Sequence, residues 1–575
     1  MQAQDHIRAG SPTTTQRVGF WLGLALFVAL LLAPAPVSMN QVVRERFGEA
    51  IHAEVARSLQ RTKQSDAGPD SAAYRQAITL AVKDRARVLM AAAAVTALVA
   101  CWWITVALPI PVTSLMPLVL FPLVGIVPIK EAAVPYANSN VFLFMGGFII
   151  ALGIERWGLH RRIALHIVRL VGTGRSTIVL GFMLASAVLS MWISNTATTM
   201  MMLPIGLAIV AAVAPPQQGP DAKEHANFSA ALMLGIAYAA SVGGIATPIG
   251  TPPNISFRGQ FARLFPQAGE ISFGQWMVIF VPLLLVFLPV VWLVLVKVTC
   301  RVGRARMPVG REVVRDDLRA LGPMRRPEIA MLVVFAATAI LWMTRSIPIG
   351  DANYGWSGVL ECWLASRGGV LFHAGYINDA TVALTMAVIL FMIPAGRDDS
   401  GEWRALMDWP TAKRLPWGIL LLFGGGFSIA AGVGASGLSL WCGNVFASLG
   451  VTNPLLVVVS ICLLMTFLTE FTSNTATTEV MLPILAGVSL AMGVNPLLLM
   501  LPATISASCA FMMPVATPPN AIVFGSGCID MGRMVRTGLI LNVIGAVLVT
   551  ATFYLIAVPV LGIDLGSLPA WASNP

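Results

Sequence analysis

Hydrophobic positions along this chain come in long blocks, and polar residues are largely confined to the gaps between them. A bilayer core about 30 Å thick is crossed by roughly 20 apolar residues of helix. Blocks of that kind occupy 19–38, 88–108, 112–129, 140–156, 229–257, 276–296, 328–344, 379–396, 416–440, 497–525 and 538–562. The pattern predicts an all-α polytopic membrane protein with about eleven transmembrane helices. Two further blocks, 176–213 and 454–490, are too long for one crossing, and Ser, Asn and Thr interrupt each at its centre.

Basic residues decide how those two blocks are drawn. They gather in the N-terminal tail (Arg8, Arg17), between Arg156 and Arg175, and between Lys297 and Arg326. The positive-inside rule places all three stretches in the cytoplasm. The second and third agree in side only if 176–213 crosses an even number of times, so it is expected to be a re-entrant hairpin. By the same count 454–490 is a hairpin entering from outside, and the C-terminus is extracytoplasmic. Segment 39–87 mixes nine Lys and Arg with six Asp and Glu and is expected outside, as a solvated helical insertion, because long loops cross largely regardless of charge. The run 19–38 exceeds the about 7–15 residues of a signal-peptide core and is expected to remain as the first helix.

Composition narrows the classes. Of 575 residues 57% are hydrophobic and 11% charged, against about 25% charged in a soluble globular protein. The net charge of +10 lies in the short gaps between apolar blocks and not on one face, which argues for topology signals over nucleic-acid binding. Seven scattered cysteines have neither metal spacing nor a disulfide framework, and no two of the six histidines stand three or four residues apart. The apolar segments also hold no nucleophile with a partnering base. An enzyme or a cofactor protein is therefore not expected.

An internal repeat is plain. Phe144-Met145-Gly146-Gly147-Phe148 matches Phe423-Gly424-Gly425-Gly426-Phe427, and Ser194-Asn195-Thr196-Ala197-Thr198-Thr199 matches Ser473-Asn474-Thr475-Ala476-Thr477-Thr478, both at an offset of 279 (194 to 473). Thr251-Pro252-Pro253-Asn254 matches Thr517-Pro518-Pro519-Asn520 at an offset of 266 (251 to 517). Between Phe144 and Phe423 the helix map counts five crossings and one hairpin. Five is odd, so the second copy is expected upside down relative to the first. That is the inverted repeat of secondary transporters, whose sites lie near the midplane at broken helices.

The repeated residues suit ions. Asn and Thr offer donors and acceptor oxygens without fixed charge, and Pro-Pro removes two N–H groups, freeing carbonyls. Such irregular backbone survives at bilayer depth only where it lines a cavity or is buried in protein. Oxygens of this kind suit a small hard cation, and half-helix N-termini suit an anion. No Lys, Arg or His falls within 189–205, 240–254, 466–484 or 509–524. An anion bound there needs co-bound cations, since burying its charge alone is very costly.

With these motifs in view, the chain resembles the divalent anion/sodium symporter family over nearly all of 88–562. The resemblance implies an elevator-type transporter, a homodimer in the cell membrane with a cytoplasmic N-terminus, and co-transported Na+ in place of any cofactor. It implies Asn195, Thr196, Asn474 and Thr475 as substrate ligands, with Thr251, Thr517 and Pro518 beside them. A first sodium site maps onto Ser190, Ser194, Asn195 and Gly250, and a second onto Thr469, Thr472, Asn474 and Ala516. After the tail 1–18 and the first helix, 88–175 and 327–453 correspond to scaffold, and 176–296 and 454–575 to transport parts. The basic cytoplasmic linker 297–326 joins the two halves. Two similar tips favour a substrate with two similar ends, a C4 dicarboxylate such as succinate, malate or fumarate. The family also holds sodium-independent exchangers and sulfate or citrate carriers, which stay open as alternatives. Two intramembrane carboxylates remain: Glu470, expected to brace the second hairpin and tune its sodium site, and Glu479, which stands where the first copy has Met200 and has no assigned role.

Overall fold

The computed structural model describes residues 13–61, 71–172, 174–212, 220–303, 308–349, 352–366, 376–397, 403–448 and 453–573. Its first helix, α1 (Thr14–Leu32), starts and stops earlier than the 19–38 block. Thr13 and Gln16 close a reciprocal cap at its start, and Pro34 and Pro36 deny the next turn its N–H donors. Helix α2 (Val37–Arg61) follows, then α3 (Ala72–Thr105). The described parts of segment 39–87 are thus helical as expected, but α2 is exposed on one face only. Its Met39, Val43, Ile51 and Val55 are buried in one cluster with Val82, Ala86 and Leu89 of α3. α1 also lies along α3, where the Phe20 ring stacks on Trp102 at 5.3 Å and the Trp102 indole donates to the Phe20 carbonyl at 3.3 Å. Residues 1–12 with Arg8, 62–70 of the insertion and 304–307 of the linker lie outside the described residues.

The block 112–129 does not form one helix. It breaks into Ile110–Thr113, Met116–Leu123 and the start of Ile129–Ala133, because Pro111, Pro117, Pro122 and Pro128 interrupt the hydrogen-bond ladder and Gly125 turns at φ 72°. Hydropathy registers the apolar run and is blind to these interruptions.

From here the order of elements recurs. The first series is α4 (Ser139–Arg156), α5 (Leu159–Val171), α6 (Arg175–Ser190), α7 (Asn195–Ala212), α8 (Pro220–Ile245), α9 (Pro252–Leu264) and α10 (Phe273–Leu293). Between the series lie α11 (Pro308–Leu321), α12 (Arg326–Arg345) and α13 (Asp379–Met392). The second series is α14 (Trp417–Ser436), α15 (Leu438–Ala447), α16 (Pro454–Thr469), α17 (Asn474–Ala491), α18 (Leu497–Ala507), α19 (Pro518–Phe524) and α20 (Met531–Thr552). Both long polar-centred blocks are therefore helix pairs with Ser-Asn-Thr at the join. In the first pair the chain returns beside itself: a Cβ placed on Gly206 falls 3.7 Å from the ring of Phe182, each twelve residues from Ser194. Both Thr-Pro-Pro-Asn segments break the helical path, at 246–251 and 508–517.

The predominantly helical chain also carries two short antiparallel ribbons: β1 (Pro348–Ile349) with β2 (Ala352–Asn353), and β3 (Pro394–Arg397) with β4 (Trp403–Ala405). The second ribbon starts where 379–396 was expected to be still helical. Among the described residues nine helices are long and apolar enough to cross a bilayer, and α8 is buried along its whole apolar window. By contrast α1 exposes Trp21, Leu22 and Leu32, apolar surface that only lipid or protein can cover. The chain is a multi-pass membrane protein.

Packing crosses between the two series. α9 of the first lies on α14 and α17 of the second, and α19 of the second lies on α7 and α8 of the first. Glycine makes the closest approaches possible: a Cβ on Gly146 would meet the Ala383 backbone, and one on Gly425 the Ser114 backbone. The repeated glycines after Phe144 and Phe423 are thus seats for neighbouring chain. The linker helix α11 packs on both α5 and α7. Arg162, nearly buried, holds its far end, donating to the Gly322 carbonyl and to Glu328, each at 2.9 Å.

Candidate site at the paired hairpin tips

Each helix pair ends in a turn that presents Asn at the start of its second arm. At the first tip Ser194 accepts from the Ala197 N–H at 3.2 Å, so its hydroxyl caps α7. The Asn195 side chain lies in the next position, and the Ser190 hydroxyl donates to its Oδ1 at 2.5 Å. The adjacent break in the helical path closes around this amide. A Cβ on Gly244 would collide with Asn195 Oδ1 and come 3.1 Å from the Gly250 carbonyl, and one on Gly250 would fall 3.0 Å from the Ser190 carbonyl. The structure therefore brings Ser190, Asn195 and Gly250 into one oxygen-rich cluster, and turns the Ser194 side chain to capping. Thr251 is buried at the end of the break, and Thr196 is half-buried beside Asn195. The Thr247 hydroxyl donates to the Met191 carbonyl, tying break to tip.

At the second tip Ser473 caps α17 through the Ala476 N–H. The Asn474 Oδ1 is buried and has no hydrogen-bond partner among the described residues. The Thr472 and Thr477 hydroxyls pair at 2.6 Å, and Thr469 donates to the Thr466 carbonyl at 3.0 Å, leaving hydroxyl lone pairs free. Thr475 is buried within the same turn. Thr517 accepts from the Asn520 N–H at 3.4 Å, and Pro518 beside it is exposed. Ala516 stands three residues beyond a loop that Glu470 holds.

That loop explains one of the two carboxylates. Glu470 is 1% exposed, and its oxygens accept from the N–H groups of Phe511, Met512 and Met513 at 2.7, 2.9 and 2.8 Å. The Asn542 amide donates to it at 2.7 Å. Four donors surround the carboxylate, so it fixes the second break against the second tip. The expectation of a brace holds in atomic terms.

Two residues with a clear part in the site were not singled out from the sequence. Asn254 Nδ2 donates to the carbonyls of Gly244 and Thr247 at 3.1 and 2.8 Å, and Asn520 Nδ2 to those of Ala510 and Met513, both at 3.1 Å. These carbonyls lie at the two breaks, where the regular helical ladder stops. The signal was present: the last letter of Thr-Pro-Pro-Asn is repeated in both copies.

Chemically, each half offers side-chain and main-chain oxygens beside the N-terminus of a helix, α7 at one tip and α17 at the other. Oxygens suit a hard monovalent cation, and the partial positive charge of a helix start suits an anion. The first basic residue after the first break, Arg258, is committed elsewhere: its guanidinium donates to Asp379 at 2.7 Å.

Residues 81–561 match the family described as "Sodium:sulfate symporter transmembrane region". The chain is 42% identical over 473 residues to the sodium-dependent dicarboxylate transporter SdcS of Staphylococcus saprophyticus, covering 82% of this chain and 87% of that protein. It has the same identity over the same length to SdcS of Staphylococcus aureus strain MRSA252, covering 86% of that protein. Among solved structures, the Alcanivorax borkumensis YdaH transporter aligns with a TM-score of 0.49 at 12% identity, over 73% of this chain and 86% of that one.

Proposed function

The chain belongs to the sodium:sulfate symporter family, the divalent anion/sodium symporters, and from that membership we propose that it imports a C4 dicarboxylate driven by sodium ions. The observation that carries the coupling is the pair of oxygen-lined tips without a basic side chain. A dianion entering a site of that kind meets helix N-termini worth about half a charge each. That is too little to offset the loss of its hydration. Two sodium ions beside it remove most of its field, so cations and substrate bind together or not at all. The names of the SdcS relatives, which say sodium and dicarboxylate, support the same reading.

In this reading Asn195 and Thr196 at one tip, and Asn474 and Thr475 at the other, hold the two carboxylates, with Thr251, Thr517 and Pro518 as flanking contacts. The first sodium takes oxygens of Ser190, Ser194, Asn195 and Gly250, with Ser194 acting through its main chain if its hydroxyl keeps the cap. The second takes Thr469, Thr472, Asn474 and the Ala516 carbonyl. The segments 176–296 and 454–575 move together as an elevator against 88–175 and 327–453, in a homodimer whose N-terminus is cytoplasmic. The linker helix α11, which packs on both α5 and α7, sits where it ties the fixed and moving parts.

Two measurements test this. Purified protein in liposomes is expected to accumulate labelled succinate when Na+ is imposed outside. Malate should compete strongly and sulfate and citrate weakly. Uptake that ignores the Na+ gradient and follows dicarboxylate preloaded inside identifies an exchanger instead. The second is Glu470→Gln, which turns an amide N–H2 toward N–H donors that now have a carboxylate. Losing a charge-assisted bond of about 1.5–3 kcal/mol loosens the loop before Ala516, and the Na+ concentration for half-maximal uptake is expected to rise about tenfold. An unchanged sodium dependence removes Glu470 from the mechanism.

A further inference from the structure

Glu479 is the buried acid that the paired tips do not use. It lies in α17, is 0% exposed, and is enclosed by α9 and by α14, where a Cβ on Gly426 would run into its carboxyl. From α9, Gln260 donates its Nε2–H to the main-chain oxygen of Glu479 at 3.0 Å and also to Oε2 of its carboxyl. Ser256, one helical turn earlier, is buried near the same carboxyl, and its hydroxyl has no hydrogen-bond partner among the described residues. Three buried oxygens are left over among the described residues: Glu479 Oε1, Gln260 Oε1 and Ser256 Oγ. Gln260 and Ser256 are themselves 0% exposed.

The cluster exists in one copy only. At the corresponding positions of the repeat stand Met200 for Glu479, Ile522 for Ser256 and Ser526 for Gln260. The duplicated architecture of the tips therefore does not account for it.

No opposite charge attends the carboxyl. Of the elements packed on α17, helices α14, α15 and α18 bring no Asp, Glu, Lys, Arg or His, although α15 brings Cys442. α9 brings Arg258, paired with Asp379, and Arg263 at its far end. α3 brings Tyr74 and Arg75 near its start, Lys83, Asp84, Arg85 and Arg87 near its middle and Cys101 near its end, and α16 brings Cys462 and is followed by Glu470, bound to the 511–513 loop. Among the described residues none of these forms an ion pair with Glu479. A lone carboxylate sealed in protein is among the most expensive groups to bury.

We propose that Glu479 is a proton-binding site, separate from the paired tips, in which the neutral acid pairs with the Gln260 amide. The chemistry closes with one proton. The acid O–H donates to Gln260 Oε1 while Gln260 Nε2–H donates to the other acid oxygen, so two of the three leftover oxygens are satisfied at once, and Ser256 is free to donate to the same acid. An ionised carboxylate can take the Ser256 hydroxyl, but it has no proton to give, and Gln260 Oε1 stays an acceptor without a donor. A sodium ion fits less well, because the amide N–H faces the carboxyl and a hard cation takes about six oxygens, whereas three are available. Resting on the transport reading, the proton exchanges when the second hairpin parts from α14, and transport then depends on pH through this residue.

Melting temperatures of the purified protein in detergent, wild type and Glu479→Gln, test the site at pH 6 to 9. An unfolded glutamate ionises near pH 4.3. A group that is neutral only when folded favours folding less and less as pH rises above that value. The wild type is therefore expected to lose stability relative to the amide variant with rising pH; a difference that stays constant overturns the proposal. In liposomes at saturating Na+, uptake by the wild type should change with pH and that of Glu479→Gln should not. The same pH profile in both overturns it. If the variant instead lowers the Hill coefficient for Na+ by about one and leaves the pH profile intact, the site holds sodium and the proposal fails. No uptake by either protein counts against the transport reading alone, and melting still decides the proton. Glu479→Met covers the case in which the amide variant does not fold. The infrared C=O band of a protonated carboxylic acid present in the wild type at neutral pH must then be absent, and its persistence overturns the assignment.

Discussion

Asn474→Ala is expected to lower sodium-dependent dicarboxylate uptake about 10- to 100-fold, and Asn195→Ala by at least as much. The range follows from one hydrogen bond to a charged partner, about 1.5–3 kcal/mol, at about 1.4 kcal/mol per tenfold. The two variants differ in a way that separates ligand loss from damage to the fold. Asn474 Oδ1 has no partner among the described residues, so removing it breaks no internal bond and thermal stability should stay within about 0.5 kcal/mol. Asn195 Oδ1 accepts from the Ser190 hydroxyl, so its loss also leaves that buried hydroxyl without an acceptor and lowers stability by about 1 kcal/mol. Initial uptake rates at several Na+ concentrations, with melting curves on the same preparations, check both statements. If both variants transport like the wild type, the ions and substrate bind somewhere other than the tips.

How much of this was legible beforehand depended on how far apart in sequence the interacting residues lie. The hairpins were readable because their signal is local: an apolar block twice too long, broken by Ser-Asn-Thr at its centre. Part of the first sodium set implied by the resemblance was likewise readable as a cluster. Ser190 and Asn195 are five residues apart and meet, while Gly250 is brought in by the break that Thr-Pro-Pro-Asn announces. The block 112–129 was misread because a hydropathy count treats proline as merely apolar, whereas each proline removes an N–H from the ladder. The short ribbons escaped because two to four residues carry no usable period. Pairings across 219 residues, such as Gln260 with Glu479, have no sequence signal at all. The mismatch of Glu479 with Met200 in the repeat was visible, but its meaning depended on knowing which face of α17 meets α9.

The same limit hid a buried ion triad, and it leads to the second large effect. Asp379, at the first turn of α13 and 1% exposed, accepts from Arg258 of α9 at 2.7 Å and from Arg345 of α12 at 2.6 Å. The Arg345 Nη1 donates onward to the Ile377 carbonyl at 3.0 Å, and the Trp342 indole to the Asp379 carbonyl at 2.9 Å. Asp379→Ala leaves two buried guanidinium groups without their shared acceptor, with only the exposed Glu270 4.0 Å from Arg258. Removing one partner of a buried pair costs about 3–5 kcal/mol, which makes this variant the most destabilising of those considered. Replacing all three charged residues by Met removes the unpaired charges too, and such replacements are often neutral or stabilising. Thermal unfolding in detergent is therefore expected to show a large loss in Asp379→Ala and most of it restored in the triple variant. A single variant as stable as the wild type sinks the claim that the triad is buried and interdependent. The triad also joins α9, in the segment proposed to move, to α12 and α13, in the part proposed to stay. If the elevator reading holds, each cycle must part Arg258 from Asp379 and satisfy both anew. The triple Met variant should then fold and yet show altered uptake kinetics, and wild-type kinetics in that variant place the sliding surface elsewhere.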